Sequence, residues 1–235
     1  MRTAAVVPAA GRGERLGPGA PKALRELAGQ PLLVHAVRAL AEARSVDVIV
    51  VAAPVEEESV VSRILQPVVG DTELHVVAGG ETRQQSVRLA LEALPDDIDV
   101  VLVHDAARPL QPEDVIDAVT AAVRAGADAV VPAVPVTDTV KQVDAAGRVE
   151  ATVDRSQLRA AQTPQGFARI VLESAHRDAF EHGLEDASDD AGMVEHFGRP
   201  VMAIPGSEDG FKVTRPLDLV LAEAVLARRR SAGVH

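Results

Sequence analysis

Short runs of β-branched and aliphatic residues alternate along this chain with segments of helical periodicity, and this alternation restricts the possible folds. The runs, which we predict to be buried and mostly parallel strands, are residues 4–7, 46–51, 74–77, 100–103 and 129–134. Between them, apolar residues share one helix face in three sets: Leu33, Val37 and Leu40; Val87, Leu91 and Leu94; and Val115, Val119 and Val123. The pattern predicts an α/β fold with helices on both faces of a mostly parallel sheet, and a ligand crevice at the carboxyl ends of its strands.

The alternation ends in the middle of the chain, where polar residues alternate with single valines and no helical period remains. We predict a projecting β-arm there, at about residues 136–156. Helical periodicity returns around residues 170–180, and Thr214 and Pro216 suit the start of a last helix. The apolar face of that helix is predicted to consist of Leu217, Val220, Leu221, Ala224 and Val225. With no repeat and no long linker, we expect residues 1–235 to form a single domain carrying this arm.

Composition excludes several classes of function. The chain has no cysteine, which excludes disulfides, thiolate metal sites and a cysteine nucleophile, and which fits a reducing cytoplasmic location. A formal charge of -11 argues against a nucleic-acid partner, and the basic run at residues 228–230 is expected to be solvated surface. No apolar run approaches the roughly 20 residues of a spanning helix, so we expect no membrane association. An anionic substrate would have to be held by a few well-placed cations.

The segment Pro8-Ala9-Ala10-Gly11-Arg12-Gly13-Glu14-Arg15-Leu16 directly follows the first predicted strand, and Pro21-Lys22 comes soon after. Its small residues let backbone N–H groups approach phosphate oxygens, and Arg15 and Lys22 add positive charge. It is not a Walker A loop, and Leu16 stands where a dinucleotide-binding loop has a third small residue. A bare Gly-x-Gly turn is often only a turn, but the added cations favour a phosphate-binding loop.

Two further segments follow predicted strands. Gly79-Gly80-Glu81-Thr82-Arg83-Gln84-Gln85-Ser86-Val87 reads equally well as a capped helix start, with Thr82 as the cap. Val103-His104-Asp105-Ala106-Ala107-Arg108-Pro109 places a carboxylate at the expected crevice. Asp105 is therefore the natural metal candidate, although an Asp after a strand is often a turn or cap residue.

These segments together resemble the 2-C-methyl-D-erythritol 4-phosphate cytidylyltransferase family, and the resemblance covers essentially the whole chain. Further matching segments occur in order: Asp138-Thr139-Val140-Lys141, Thr152-Val153-Asp154-Arg155, Gln162-Thr163-Pro164-Gln165, Ser188-Asp189-Asp190-Ala191 and Phe211-Lys212-Val213-Thr214-Arg215-Pro216. The resemblance implies a Rossmann-like, three-layer nucleotidyltransferase fold. It also implies an enzyme that forms 4-diphosphocytidyl-2-C-methyl-D-erythritol and pyrophosphate from CTP and 2-C-methyl-D-erythritol 4-phosphate, in non-mevalonate isoprenoid precursor synthesis.

The resemblance assigns the site residues by substrate. It implies triphosphate contacts from Pro8, Ala9, Ala10, Gly11, Gly13, Arg15 and Lys22. It places Gly80, Glu81 and Ser86 at the cytosine and Mg²⁺ at the CTP phosphates, and we expect Asp105, the metal candidate, to contact CTP and hold that ion. Around the acceptor it places Asp105, Ala106, Thr139, Arg155, Thr163 and Lys212. The implied catalytic cations are Arg15, Lys22, Arg155 and Lys212, and the implied assembly is a homodimer whose exchanged arms complete each other's sites.

Two alternatives remain open from the sequence. A ribitol 5-phosphate cytidylyltransferase would share the loop, the arm and the arginine, and would differ in the residues that line the polyol. A non-catalytic CTP-binding regulatory protein would have no evident use for Arg155 and Lys212. A dehydrogenase is disfavoured because Val51-Ala52-Ala53-Pro54 lacks the acidic residue that holds a ribose after the second strand.

Overall fold

The computed structural model describes residues 1–11, 21–184 and 187–232. Its strands are β1 (Arg2–Pro8), β2 (Glu26–Leu27), β3 (Gln30–Pro31), β4 (Val48–Ala53), β5 (Glu73–Ala78), β6 (Ile98–Val103), β7 (Ala129–Pro135), β8 (Val140–Val143), β9 (Val149–Val153), β10 (Arg159–Ala161), β11 (Gln165–Ala168) and β12 (Val201–Pro205). Its α-helices are α1 (Leu32–Glu42), α2 (Glu58–Leu65), α3 (Arg83–Glu92), α4 (Glu113–Arg124), α5 (Arg169–Glu181), α6 (Asp190–His196) and α7 (Pro216–Ser231).

The central sheet follows the order β10-β7-β11-β6-β1-β4-β5, and β12 pairs with β7. β1 runs parallel to β4 and β6, β4 runs parallel to β5, and β12 runs parallel to β7. The predicted mostly parallel sheet is thus confirmed. The two antiparallel strands, β10 and β11, lack a hydrophobic run of their own, which is why the sequence pattern did not reveal them.

Helices cover both faces of this sheet, which confirms the predicted three layers. Alternate residues of β1 enter different cores, because successive side chains of a strand point to opposite faces. Ala5 and Val7 pack with α1, α2 and α4 on one face. Ala4 and Val6 pack with α3, α5 and α6 on the other. The central strands are therefore apolar on both faces, as expected for a buried parallel sheet.

The last helix begins at Pro216, as predicted, but of its predicted apolar face only Val225 packs against the domain. Leu217, Val220 and Leu221 are 67%, 61% and 50% exposed. The side that packs against the domain consists of Leu219, Ala222, Val225 and Leu226, in contact with Leu27, Leu32, Leu110 and Val213. Because α7 is apolar on two opposite sides, the periodicity located the helix but could not select the side that meets the core.

The predicted arm forms a separate two-stranded antiparallel sheet, β8 with β9. Its turn is closed by Asp144, whose carboxylate accepts hydrogen bonds from the backbone N–H groups of Ala146 and Arg148, both at 2.9 Å. Lys141 Nζ donates to Thr152 Oγ1 across the strands at 2.6 Å.

The basic run at residues 228–230 is not simply solvated surface. Arg228 and Arg229 both form ion pairs with Asp209, at 2.7 and 3.1 Å. Arg229 also donates to the carbonyl oxygen of Leu110 at 2.8 Å. These contacts fasten the end of α7 to the short 3-10 turn Glu208–Gly210. Within the three ranges that the structure describes, no helix is both long and apolar enough to cross a bilayer.

Candidate functional site

A cleft lies at the carboxyl ends of β1, β5 and β6, where the alternating pattern predicted a crevice. Each of these strands is followed at once by residues of the three sequence segments that suggested ligand binding. The lining residues are Pro8, Ala9, Ala10, Gly11, Lys22, Ala23, Gly80, Glu81, Thr82, Arg83, Ser86, Asp105, Ala106, Ala107 and Lys212. The fold thus places residues 8–11 and residue 212 in the wall of the same cavity.

The described part of the first loop is anchored to the sheet. The N–H of Ala9 donates to the carbonyl oxygen of Ala52 at 2.8 Å, which extends the β1–β4 pairing by one residue. Lys22 reaches the same cleft from a short 3-10 turn, Lys22–Leu24. Two predicted phosphate contacts, Gly13 and Arg15, lie outside the described residues.

The turn between β5 and α3 packs directly against this loop. A Cβ at Gly79 would lie 2.5 Å from Ala10 Cβ and 3.0 Å from the carbonyl oxygen of Ala53, so only glycine fits without displacing the loop. Thr82 caps α3 by accepting the N–H of Gln85 at 3.1 Å. Ser86 Oγ accepts a hydrogen bond from the N–H of Gly80 at 3.1 Å and donates one to the carbonyl oxygen of Thr82 at 2.9 Å. The segment is therefore both a capped helix start and part of the cleft wall.

Asp105 is the electrostatic centre of the cleft. Its Oδ2 lies 2.7 Å from Lys212 Nζ, and its Oδ1 lies 3.3 Å from Arg83 Nε. Burial alone would raise the pKa of this carboxyl group, but the charges of Arg83 and Lys212 outweigh burial and hold the pKa well below its usual range. Asp105 is therefore ionised at any physiological pH.

Arg83 is held in turn by a second carboxylate beneath the cleft. Its Nη1 lies 2.6 Å from Oδ2 of Asp190, which has no exposed surface. Asp190 Oδ1 is also 2.9 Å from His176 Nε2. Although burial lowers the pKa of Arg83, the two aspartates raise it above its ordinary value. Likewise, burial raises the pKa of Asp190, but Arg83 and the hydrogen bond from His176 lower it overall.

Sequence reasoning gave no role to Arg83 or Asp190, although both stand in segments that it singled out. The sequence features that could have indicated them are an arginine shortly after the Gly79-Gly80 turn and two consecutive aspartates at the start of α6. The ion pair joins two residues that are 107 positions apart in the sequence. Pairing of this kind is decided by tertiary contact, which residue spacing does not reveal.

Thr163 lies behind Asp105 and not on the cleft wall. Its Oγ1 accepts the backbone N–H of Asp105 at 2.9 Å and lies 3.1 Å from Nδ1 of the fully buried His104. His104 Nε2 is 3.1 Å from the carbonyl oxygen of Arg108, which can only accept, so Nε2 carries the proton and Nδ1 accepts the Thr163 hydroxyl. Burial lowers the pKa of His104 to about 4, so the ring is neutral.

Lys212 is fixed by contacts on both sides of it. Arg108 donates to the carbonyl oxygens of Gly210 at 2.8 Å and Ala161 at 3.0 Å. The N–H of Val213 donates to the carbonyl oxygen of Ala107 at 2.8 Å. The segment that carries Lys212 is thus tied directly to the segment that carries Asp105.

Thr139 and Arg155, also predicted to contact the acceptor, lie at the base of the arm and do not line the cleft. Both are exposed, and Arg155 Nη1 donates to the carbonyl oxygen of Thr137. Of the predicted acceptor residues, Asp105, Ala106 and Lys212 line the cleft of this chain.

A metal bound in this cleft would depend on few protein ligands. Among the described residues, no cluster of three or more histidines and acidic residues could hold a metal ion. Asp105 offers carboxylate oxygens, the ligand type that Mg²⁺ prefers. Mg²⁺ is usually held by one or two carboxylates together with substrate phosphates, so the donor set fits that mode.

Comparison with known proteins gives consistent matches over nearly the whole chain. The model of the 2-C-methyl-D-erythritol 4-phosphate cytidylyltransferase family matches residues 3–228. The enzyme of that name from Streptomyces coelicolor is 59% identical over 237 residues, covering 97% of this chain and 86% of the relative. The one from Saccharopolyspora erythraea is 52% identical, covering 97% and 100%.

Two solved structures share the fold of this chain. The crystal structure of 2-C-methyl-D-erythritol 4-phosphate cytidylyltransferase from Thermus thermophilus gives a TM-score of 0.78 at 36% identity, covering 96% of this chain and 98% of that one. The 4-diphosphocytidyl-2C-methyl-D-erythritol synthase from Anaerococcus prevotii gives a TM-score of 0.84 at 26% identity, covering 96% of each chain. The predicted nucleotidyltransferase-type α/β fold is thereby confirmed.

Proposed function

This chain belongs to the 2-C-methyl-D-erythritol 4-phosphate cytidylyltransferase family, and we propose that it makes 4-diphosphocytidyl-2-C-methyl-D-erythritol and pyrophosphate from CTP and 2-C-methyl-D-erythritol 4-phosphate. The observation that best supports this reaction is one cleft that combines a loop of small residues, a glycine turn and the Lys212–Asp105–Arg83 charge cluster. The product serves non-mevalonate isoprenoid precursor synthesis. The cysteine-free sequence suits a cytoplasmic enzyme.

In the proposed reaction, an oxygen of the acceptor's phosphate attacks the α-phosphorus of CTP. The bond from that phosphorus to the bridging oxygen breaks, and the electron pair leaves with pyrophosphate. Negative charge grows on the non-bridging oxygens and on the leaving group, so placed cations lower the barrier. Lys22 and Arg15 fill this role at the triphosphate, and Lys212 orients the acceptor phosphate.

Cytosine is read by the turn between β5 and α3. Gly80 and Glu81 lie on the cleft wall and offer backbone groups to the base edge. Ser86 helps by holding that turn, because its hydroxyl bridges Gly80 and Thr82. A turn fixed in this way favours a pyrimidine over a larger purine.

Mg²⁺ is the proposed cofactor, and Asp105 would hold it together with oxygens of the CTP phosphates. Bound there, the cation would offset phosphate charge. Asp105 suits the role because it stays ionised, and because its backbone is fixed by Thr163. Lys212, now paired with Asp105, would then turn to the acceptor phosphate.

The functional unit is proposed to be a homodimer with exchanged arms. Arg155 and Thr139 do not line the cleft of their own chain, while Lys212 does. Exchange would bring the partner subunit's Arg155 and the partner subunit's Thr139 to the acceptor phosphate. Two anionic substrates would then meet between cations from both chains.

Pyrophosphate release by the purified chain tests the proposal. The assay contains CTP and Mg²⁺, with either 2-C-methyl-D-erythritol 4-phosphate or ribitol 5-phosphate as acceptor. We expect release with the first acceptor alone. Release with ribitol 5-phosphate alone would contradict the assigned acceptor, and CTP binding without release from either would contradict catalysis.

A further inference from the structure

Two cations contact Asp105 in the cleft, but the protein holds them differently. Lys212 Nζ lies 2.7 Å from Oδ2 of Asp105, and the lysine side chain is 38% exposed. Arg83 Nε lies 3.3 Å from Oδ1, while Nη1 of the same guanidinium lies 2.6 Å from Oδ2 of Asp190. Because Asp190 has no exposed surface, a displaced Arg83 would leave a buried carboxylate without its cation, which is costly. Lys212, an ammonium on a flexible stem, can therefore turn away from Asp105, whereas Arg83 cannot.

Asp190 is itself fixed at the start of α6. The preceding residue, Asp189, caps this helix by accepting the N–H of Gly192 at 2.9 Å. The buried side chain of Gln165, on β11, donates to the Asp189 carboxylate at 2.7 Å and accepts the N–H of Ala191 at 3.0 Å. The residues on both sides of Asp190 are thus tied to the central sheet, and Arg83 has an immobile partner.

Arg83 lines the cleft, but the end of its side chain is turned toward the protein interior. Nη1 faces Asp190 and Nη2 is buried, so neither terminal nitrogen is presented to a phosphate in the cleft. Stability does not explain the pair with Asp190 either, because replacing a buried ion pair with well-packed apolar residues is often neutral or stabilising. The contact with Asp105 is therefore the feature of Arg83 that bears on the cleft.

We propose that Arg83 is a positioning residue, which holds the Asp105 carboxylate through Oδ1 so that Lys212 can leave Oδ2 for the acceptor phosphate. Asp190 anchors Arg83 from below while this exchange takes place. The inference rests on the proposed function, in which Lys212 orients the acceptor, and adds the residue that keeps Asp105 in place once Lys212 has moved.

A paired replacement, Arg83→Gln together with Asp190→Asn, tests this role. It removes both charges of the buried pair, so no buried charge is left alone, and the two amides can hydrogen-bond to each other. Circular dichroism checks that the variant folds. We expect kcat/KM for the acceptor to fall about tenfold or more in the pyrophosphate assay, because Asp105 then keeps Lys212 as its only cation.

The matched control removes an exposed ion pair from the same helix. Arg88 Nη1 lies 2.9 Å from Glu92 Oε1, at the surface of α3. Arg88→Gln together with Glu92→Gln makes the same change of charge away from Asp105, and should leave kcat/KM unchanged. Natural kcat/KM in a folded Arg83→Gln, Asp190→Asn variant would overturn the proposal.

Repeating the paired replacement in an Asp105→Asn chain distinguishes positioning from a purely structural role. If Arg83 acts through the Asp105 carboxylate, the further loss in kcat/KM should stay within about twofold, because the group that it positions is already gone. A second loss as large as that in the natural background would mean that the pair only supports the fold, and would overturn the proposal. Absence of pyrophosphate release from the natural chain would instead overturn the proposed function, and the positioning role with it.

Discussion

Asp105 is the residue at which the charges of the cleft converge. Lys212 and Arg83 both contact its carboxylate, and Asp190 holds Arg83 from below. A carboxylate placed between two cations is kept ionised, and it keeps the two cations from repelling each other. Its backbone N–H donates a hydrogen bond to the hydroxyl of Thr163, and this hydroxyl in turn hydrogen-bonds to His104. These contacts fix the position of Asp105.

Asp105→Asn keeps the size of the side chain but removes its charge. Arg83 and Lys212 would then face each other without their shared anion, and Mg²⁺ would lose its proposed protein ligand. We expect kcat/KM to fall about a hundredfold or more in the pyrophosphate assay, with the fold retained. Asp138→Asn, on the exposed base of the arm, is the control for a simple charge change. Unchanged kcat/KM for Asp105→Asn would contradict its role.

His104 makes the stability of the protein depend on pH. The group has a pKa of 6.5 when unfolded and about 4 when folded. As the pH falls below 6.5, His104 becomes protonated in the unfolded chain, whereas in the folded chain it stays neutral until the pH reaches about 4. The free energy of unfolding therefore decreases between these two pH values. The full effect is on the order of 3 kcal/mol.

Urea unfolding at about pH 7.5 and about pH 5 measures this loss. His104→Asn removes the titrating ring while its amide oxygen can still accept from Thr163. We expect a clearly smaller drop in stability between the two pH values for the variant than for the natural chain. Equal drops in both would mean that His104 is not the group responsible.

At the scale of elements, the cleft depends on how closely two turns approach. The Gly79 turn before α3 touches Ala10 in the first loop, and this contact sets the distance between the proposed base-binding and phosphate-binding walls. Gly11 is different, because a Cβ there would meet no atom within 4 Å.

Gly79→Ala should therefore lower the stability of the fold, whereas Gly11→Ala should weaken CTP binding. The first forces Ala10 and the turn apart, and should cost about 1–3 kcal/mol in unfolding free energy. The second should leave stability nearly unchanged but weaken CTP binding, because its methyl group enters the cleft. Thermal unfolding and calorimetric titration with CTP separate the two effects. A stable Gly79→Ala variant would show that the turn can shift at little cost.

At the scale of the whole molecule, one chain does not assemble the complete set of proposed acceptor contacts in its own cleft. Lys212 stands in the cleft, and Arg155 stands at the base of an arm that forms its own sheet. If the arms exchange, each site uses Lys212 of one chain and the partner subunit's Arg155.

Mixing two defective variants tests this sharing. Lys212→Ala and Arg155→Ala chains are each expected to be nearly inactive alone. After co-refolding in equal amounts, about half of the dimers are mixed, and each has one intact site, so about a quarter of natural activity should return. Recovery no greater than the sum of the separate variants would place both residues in the same chain's site.

Much of this arrangement could be predicted from the sequence. Runs such as residues 100–103 and the sets built on Leu33 and Val87 gave the parallel sheet and its helices, because periodicity follows directly from burial on one face or both. Small residues and single charges after strands located the cleft, since parallel strands end at a common edge. The helices α2 and α6 and the strands β2, β3, β10, β11 and β12 were not predicted; all of them are short, with two to eight residues each.

The tertiary structure alone decided which residues meet. Sequence periodicity recorded the apolar side of α7 that carries Leu217, but only packing showed that the opposite side of the helix faces the domain. Likewise, only the tertiary structure showed that Arg83 pairs with Asp190 and that Thr163 hydrogen-bonds to the backbone of Asp105. The physical reason is that local sequence sets backbone preference and apolar pattern, whereas ion pairs, hydrogen bonds and buried faces depend on segments far apart in the chain.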